Sequence, residues 1–321
     1  MKTTMKYLLS GVTAMLLAGC EHKELCYDHS HIVPLKVIFD WREAPDADPA
    51  SMSLYLFPKD GGKALRYEFT DRKGGTIDVP FGAYDALCLN SDTEGIVYRN
   101  TDRHGTFEVS TRTTELLVSD LTGRGVRSDS APRAEGTEDE RVALAADMLW
   151  SDSGRDIVLA ESDVEPTVTL CPDVSVCSYR VEIADAENLK YVSGLSAALS
   201  GMAGGVLLGS GTASTECVTH PFEMRVCGNN TSVEGELLVF GHCPDTDAQH
   251  ALVVYAVLAD GSKFAYTYDA AEVTRQIHAA PDQRNVIIRL SGLPLPEPID
   301  NGGGFQPSVD EWDRVDIGIE M

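Results

Sequence analysis

Short runs of β-type residues, separated by turn residues, constrain the fold of this chain more than any other feature. In Leu35–Trp41 (LKVIFDW), every second side chain from Leu35 onward is apolar, which is the period of a half-buried strand. Runs of this kind recur about every 10–15 residues, and no long pattern of helical period separates them. The sequence therefore predicts a mainly β fold of the β-sandwich type with minor helices.

Changes in composition predict the domain limits. We expect an N-terminal β-sandwich domain at residues 34–164 and a C-terminal one at residues 165–299, with the strand Thr167–Leu170 opening the second. Two domains suit the length, because single cores rarely grow beyond about 250–300 residues. Residues 119–141 are polar and charged, so we expect them to bury little surface and to form a mobile loop.

The second half of the chain contains the predicted helices and ends in a predicted strand. Ala270–His278 is expected to be helical, and a shorter helix is expected within Ala186–Ala198. Residues 300–321 are predicted to be a hinged C-terminal strand, because Gly302–Gly304 provide a joint before an alternating segment. The apolar residues that share one face of this strand are Val315, Ile317 and Ile319.

The first 33 residues predict export and attachment to a membrane. Residues 1–19 have the basic start and short apolar stretch of a signal peptide, and the stretch is shorter than the ~20 residues of a membrane span. The sequence around Cys20 (LAGC) resembles the lipobox of bacterial lipoproteins. We therefore predict cleavage before Cys20, lipidation of its thiol, and a lipidated tether over residues 20–33.

The charge of the chain limits its partners. Lys and Arg number 26 against 50 Asp and Glu, for a formal net charge of −24. Nucleic acids and anionic lipid surfaces are held mainly by basic side chains on phosphates, so we expect neither nucleic acid nor a lipid headgroup as a ligand. Contact with a membrane is therefore expected only through the lipid on Cys20.

No set of residues has the spacing of a catalytic site. The chain lacks a zinc-protease helix motif, a nucleophile elbow and a phosphate-binding loop. Two candidate metal clusters have suitable donor types, namely His22, Cys26, His29 and His31 for zinc or copper, and Asp310, Glu311, Asp313 and Asp316 for calcium. The first cluster lies in the tether and the second lacks the spacing of a calcium loop. We therefore predict a protein that is not an enzyme and has no cofactor and no metal.

The cysteines leave two interpretations open. Eight occur, and lipidation of Cys20 leaves an odd number. Neighbouring cysteines have the spacing to pair, as Cys171 with Cys177 and Cys217 with Cys227. A chain of this size needs no covalent staples, so we favour small buried side chains with free thiols.

Segments along most of the chain carry a family resemblance. They are Ala86–Asn100, Ala197–Gly211, Pro221–Gly228, Leu237–Pro244 and the closing stretch Gly302–Pro307. With the lipobox, they resemble the lipoproteins of Bacteroidetes related to the fimbrillin-associated anchor, or Mfa-like, family. The resemblance implies two tandem transthyretin-like β-sandwich domains and a role as an anchor or accessory subunit of fimbriae. The acidic residues after Cys20 look like signals that send such lipoproteins to the outer face of the outer membrane.

The resemblance implies fimbrial subunits as partners and β-strand addition as the way they are joined. The hinged strand with Val315, Ile317 and Ile319 has the alternation of a donor strand, whereas the simpler alternative is that it pairs within its own domain. In stalk subunits of this family a protease cuts after a basic residue. The candidate residues here are Arg42, Arg124, Arg127 and Arg133.

A second functional hypothesis is a surface lipoprotein that binds a glycan or another ligand. Sugar binding needs exposed aromatic platforms, and the three tryptophans Trp41, Trp150 and Trp312 are the candidates. Aromatic residues make up only 7% of the chain, so we expect Trp41 and Trp150 to belong to the core instead.

Overall fold

Strands dominate the computed structural model, which describes residues 32–123, 125–162, 164–244, 249–298 and 311–318. The strands of the first half are β1 Ile32–Phe39, β2 Met52–Pro58, β3 Leu65–Phe69, β4 Gly74–Pro80, β5 Gly82–Asn90, β6 Ile96–Arg99, β7 Glu108–Thr111, β8 Arg141–Val142, β9 Trp150–Leu159, β10 Thr167–Leu170 and β11 Asp173–Val174. Those of the second half are β12 Cys177–Ala186, β13 Val192–Ala203, β14 Gly205–Leu207, β15 Thr212–Ala213, β16 Cys217–Glu223, β17 Arg225–Cys227, β18 Ser232–Val239, β19 Leu252–Leu258, β20 Lys263–Tyr268, β21 Asn285–Leu293 and β22 Asp313–Ile317. The α-helices are α1 Ser119–Thr122 and α2 Ala270–His278, and 3-10 turns lie at His104–Thr106, Ser128–Ser130, Leu189–Tyr191 and Gly228–Asn230.

Two sheets of the first half pack face to face. A three-stranded sheet of order β10-β1-β4 covers one face of a five-stranded sheet of order β11-β9-β5-β2-β3. The alternation predicted for β1 is confirmed, since Leu35, Val37 and Phe39 are buried between the sheets. The strand predicted at Thr167–Leu170 is present, but it pairs in parallel with β1 of the first half and does not join a sheet of the second half. Parallel pairing depends on a long crossover connection, which local residue patterns do not reveal.

Two further sheets form a sandwich in the second half. A six-stranded sheet of order β22-β20-β19-β13-β16-β8 faces a four-stranded sheet of order β17-β18-β12-β21 across the largest apolar core. The helix predicted at Ala270–His278 is confirmed, with Asp269 as its N-cap and Val273 and Ile277 buried in this core. Of the helix predicted within Ala186–Ala198, only the 3-10 turn Leu189–Tyr191 is present, because β13 begins at Val192 and pairs on both sides with β16 and β19.

A fifth sheet is built from both halves of the chain. Its order is β15-β14-β7-β6, so strands from before and after residue 165 pair within it. It packs on the outer face of the five-stranded sheet, where the ring of Tyr55 lies 4.8 Å from that of Phe107. Glu216 accepts hydrogen bonds from Arg141 at 2.7 Å and from Arg99 at 2.8 Å, which lowers its pKa. The mainly β fold is as predicted, but its two halves share one layer.

Residues 119–141 contradict the expectation that they bury little surface. The few apolar side chains of this segment, Leu121, Val126, Ala131 and Ala134, are buried together with Tyr255 and its neighbours on the outer face of the six-stranded sheet. The hydroxyl of Tyr255 also donates a hydrogen bond of 2.7 Å to the carbonyl of Pro132. The segment has few large apolar groups, but the sheet supplies the other half of the apolar contact, and composition alone cannot reveal that.

The cysteine pairing also differs from both interpretations of the sequence. Cys217 forms a disulfide with Cys243, not with Cys227, across a separation of 26 residues. Four other described cysteines are free thiols, namely Cys88, Cys171, Cys177 and Cys227. The interpretation as buried free thiols is therefore wrong for Cys217 and Cys243 and right for Cys88, whereas the other three free thiols are only partly buried. Among the described residues, no helix is long and apolar enough to cross a membrane.

Candidate interaction site at the C-terminal edge strand

The last described strand lies at the edge of the six-stranded sheet. β22 pairs in parallel with β20 alone, in a register that runs from Phe264 opposite Asp313 to Tyr268 opposite Ile317. Its other edge has no partner among the strands that the structure describes. An unpaired strand edge presents a row of backbone donors and acceptors, so it is a template for another strand.

The two faces of β22 differ in burial. Val315 and Ile317 are half-buried and pack against the core of the second half, which matches the face that the sequence predicts. On the other side, the ring of Trp312 lies edge-on to Tyr255 at 5.4 Å. Ile319 is outside the described residues, and so is Cys20. β22 is therefore held by a few apolar contacts and by one ladder of backbone hydrogen bonds.

The charged residues of β22 point to solvent. Asp313, Arg314 and Asp316 are exposed, and so is Glu311 just before the strand. Burial, with a second contribution from the Asp313 carboxylate, raises the pKa of Tyr266 on β20 to about 12. In the described part of the chain, no group of three or more His, Cys, Asp or Glu side chains is arranged to hold a metal ion as placed. The acidic residues near β22 thus lie as solvated side chains of an edge strand.

A groove of about 640 Å³ runs between this edge strand and the edge of the facing sheet. The residues that line it are Tyr268, Asp269, Glu272, Arg289, Leu290, Ser291, Gly292, Ile317 and Gly318. Hydrogen bonds from Arg275 and Gln276 lower the pKa of Glu272, so its carboxylate is ionised at neutral pH. Arg289 lies 3.2 Å from the carboxylate of Glu182. The groove therefore combines two sheet edges with paired charges of both signs.

At one position of β21, the edge strand of the facing four-stranded sheet, a side chain blocks the backbone hydrogen-bonding groups. Gln276 of α2 donates to the carbonyl of Arg289 at 2.8 Å and accepts from the backbone N–H of Arg289 at 2.8 Å. The side-chain amide thus occupies the backbone groups that an added strand would need at this position of β21. The groove lies between the edge strands β21 and β22. Among the described residues, no side chain blocks the backbone groups of β22 in this way.

The tryptophans do not form an aromatic platform. Trp41 is buried, and its indole N–H donates to the carbonyl of Arg72 at 2.6 Å. Trp150 packs edge-on against it, with ring centres 6.3 Å apart. The prediction that these two belong to the core is confirmed. Trp312 is half-buried against Tyr255, as described above.

The candidate cleavage residues differ in access. Arg42 is exposed in the turn after β1 and pairs with Asp40, and Arg127 is exposed and pairs with Asp129. Arg133 is only partly exposed, because its guanidinium donates to the carbonyls of Glu138 and Glu140. Arg124 lies outside the described residues.

The groove is the feature that sequence reasoning missed. Its walls come from β20, α2, β21 and β22, which are consecutive in the chain but meet only because the six-stranded and four-stranded sheets face each other. The pairing of Gln276 with Arg289 spans 13 residues and has no sequence signal. By contrast, the alternation of Val315 and Ile317 was visible because a strand pattern is local.

A multi-sheet β-sandwich protein with an open edge strand is the class that this geometry defines. Within that class, the chain belongs to the family described as domain of unknown function DUF5119, whose model matches residues 19–223. A Bacteroides ovatus protein assigned as fimbrium anchoring subunit Fim4B is 21% identical over 95% of this chain and 95% of its own. This likeness confirms the predicted resemblance to the fimbrial anchor family.

Solved structures share the fold. The crystal structure of a Bacteroides ovatus protein described as an adhesin superposes with a TM-score of 0.58 at 18% identity, covering 87% of this chain and 99% of that one. The fimbrial anchor protein Mfa2 from Porphyromonas gingivalis gives a TM-score of 0.48 at 13% identity, over 81% of this chain and 90% of Mfa2. The first of these likenesses confirms the β fold.

Proposed function

We propose that this protein is a cell-surface lipoprotein that serves as an anchor or accessory subunit of fimbriae and joins its partner subunit by β-strand addition through β22. The observation that carries the proposal is the position of β22, a short strand at the end of its sheet whose one partner among the described strands is β20. The assignment of the Bacteroides ovatus relative as a fimbrium anchoring subunit supports the same role.

The physical basis is that β22 would exchange its backbone hydrogen bonds with β20 for backbone hydrogen bonds with a strand of the partner subunit. β22 has five residues in register with β20, and only two of its side chains, Val315 and Ile317, pack on the core. A partner that offers a longer acceptor edge, with pockets for alternate side chains, provides more backbone hydrogen bonds and more apolar contact than β20 does. The strand that lies in its own sheet here is therefore available as a donor to the next subunit.

Cys20 supplies the other end of the proposed anchor. A lipid on this residue holds the protein in the outer membrane, while β22 lies almost 300 residues further along the chain. No enzymatic activity is part of the proposal, and no cofactor is required. Mass spectrometry of the mature surface protein should show the added mass of acyl chains on Cys20. A mature protein that begins after Arg42 instead would contradict the anchor role.

A reversible disulfide between β20 and β22 tests whether β22 leaves its own sheet to join the partner subunit. Thr267 and Asp316 are register partners on β20 and β22, so Thr267→Cys with Asp316→Cys places two thiols at adjacent strand positions. When oxidised in cells, this variant should lose most of the fimbriae retained on the cell surface, measured by electron microscopy and by the sheared fraction. Reduction during assembly should restore them.

A matched lock elsewhere provides the control. Arg180→Cys with Glu236→Cys joins two exposed register partners of β12 and β18 in the facing sheet. This variant should retain fimbriae like the wild type. Equal retention by the oxidised β20–β22 lock, with the bond verified by mass spectrometry, would show that β22 does not leave its sheet.

A further inference from the structure

The two faces of β22 contact different parts of the molecule. On the inner face, Val315 and Ile317 pack on the core of the second half. On the outer face, Trp312, just before the strand, packs on the apolar cluster that segment 119–141 forms with the outer face of the six-stranded sheet. The segment and the last strand therefore share one apolar cluster, although they lie far apart in the sequence.

The strand register explains how the ring of Trp312 reaches this cluster. Tyr255 of β19 lies opposite Ala265 of β20, and Ala265 lies opposite Arg314 of β22, so these residues form one row across the sheet. Side chains two residues apart in an extended chain share a face, so Trp312 is on the face of Arg314. Because Ala265 is small, the indole extends over β20 to Tyr255, and the two ring centres are 5.4 Å apart.

Tyr255 connects Trp312 to segment 119–141. Its side chain is fully buried, and its hydroxyl donates a hydrogen bond of 2.7 Å to the carbonyl of Pro132. Burial raises the pKa of Tyr255, so the hydroxyl stays protonated and remains a donor at neutral pH. The positive charges of Arg133 in the segment and of Arg314 in β22 both act on this hydroxyl. One side chain therefore contacts the segment through its hydroxyl and the last strand through its ring.

The position of Trp312 leaves one polar group unsatisfied. Nε1 of the indole is buried and has no hydrogen-bond partner among the described residues. A buried donor without an acceptor costs free energy that the same donor does not lose in water. The indole of Trp41, by contrast, donates to the carbonyl of Arg72. Trp312 is therefore held by its apolar and aromatic contacts alone, and it depends on the cluster that segment 119–141 completes.

We propose that segment 119–141 regulates the release of β22 by holding the ring of Trp312 against Tyr255. This regulation rests on the proposed function, since release matters only if β22 is the strand that joins the partner subunit. While the segment covers the sheet, both faces of β22 are in contact and the strand stays paired with β20. When the segment opens, Tyr255 loses its hydrogen bond to Pro132 and the cluster loses one side. β22 then keeps only its inner-face contacts and its backbone hydrogen bonds.

The coupling acts in both directions. If opening of the segment weakens the attachment of β22, loss of β22 weakens the attachment of the segment by the same factor, because coupling between two sites is reciprocal. A partner subunit that takes up β22 therefore loosens segment 119–141. A partner that first opens the segment makes β22 available. Both directions can be measured in the isolated protein.

Hydrogen exchange of the full chain, read by mass spectrometry, measures the first direction. The double variant Leu121→Ala/Val126→Ala removes two buried side chains of the segment, and faster exchange of the segment's own amides verifies its opening. We then expect the amides of residues 313–317 to exchange about tenfold faster than in the wild type. Glu138→Ala changes an exposed side chain of the same segment and should leave this rate unchanged. Wild-type exchange of residues 313–317 in the double variant would overturn the proposal.

The variant Trp312→Ala measures the second direction. Trp312 is half-buried at the edge of the sheet, so the fold should persist, and we expect trypsin to cleave at Arg127 about tenfold faster. Cleavage at Arg42, in a turn of the first half, should keep its rate, which separates local opening from a general loss of stability. Glu311→Ala changes an exposed neighbour of Trp312 and should behave like the wild type. An unchanged rate at Arg127 in Trp312→Ala would contradict the coupling.

A conservative variant separates the aromatic ring from the indole N–H. Because Nε1 has no acceptor in this position, Trp312→Phe should keep cleavage at Arg127 slower than Trp312→Ala does. Equal rates in the two variants would show that the ring contact with Tyr255 does not hold the strand. These experiments use the isolated protein, whereas the disulfide between β20 and β22 is tested on fimbriae. Failure of the coupling and failure of strand addition are therefore distinguishable.

Discussion

At the scale of single residues, His220 of β16 shows what burial does to a titratable group. The ring is fully buried, and Nδ1 lies 2.9 Å from the carbonyl of Ala143. Burial, with a smaller effect of the positive charge on Arg141, lowers the pKa of His220 to about 4. The imidazole is therefore neutral in the folded protein at neutral pH, whereas in the unfolded chain it titrates near its ordinary value of about 6.5.

His220 should make stability depend on pH. Because the unfolded state binds the proton more tightly, the contribution is fully present above about pH 6.5 and is lost as pH falls towards 4. We expect the free energy of unfolding to fall over this range by about 3 kcal/mol from this residue. Urea unfolding at several pH values, in the wild type and in His220→Asn, measures it. An equal slope in both proteins would contradict this assignment.

At the scale of elements, segment 119–141 behaves as a covering layer of the six-stranded sheet. β19 is buried along its whole length because this layer covers one face and the second-half core covers the other. Leu121 has no exposed surface, and it packs in the same cluster as Val253 and Tyr255. The layer is thus attached by a small number of apolar contacts.

Removal of one such contact should release the segment. Leu121→Ala leaves a cavity, and buried Leu→Ala changes cost about 2–5 kcal/mol. Because the segment is a surface layer, we expect the lost stability to open this segment locally and not to unfold the whole protein. Trypsin should therefore cleave faster at the exposed Arg127. The control Glu138→Ala changes an exposed side chain of the same segment. Cleavage of Leu121→Ala at the control rate would exclude this role.

At the scale of the whole molecule, the two halves depend on each other. β10 completes the first-half sheet from beyond residue 164, and β8 completes the six-stranded sheet from before it. The sheet of order β15-β14-β7-β6 uses both halves. The predicted limit between residues 164 and 165 therefore separates strands that are paired.

Division of the chain at that limit should abolish folding of the parts. We expect residues 20–164 and 165–321, expressed separately, to be insoluble or to lack a cooperative thermal transition, because each loses strands that cover its core. The full chain should unfold cooperatively under the same conditions. Circular dichroism and gel filtration distinguish these results. Two soluble, cooperatively unfolding halves would establish independent domains.

The sequence by itself determined the features that depend on neighbouring residues. The alternation in β1 and in β22, the helix Ala270–His278 and the mainly β class all follow from short-range periodicity and turn residues. Only the tertiary structure decided which distant segments meet. The parallel partner of β1, the Cys217–Cys243 bond, the cover over β19 and the contact of Trp312 with Tyr255 all require strand order and register. Those are set by the packing of complementary apolar faces across the whole chain, which no local pattern encodes.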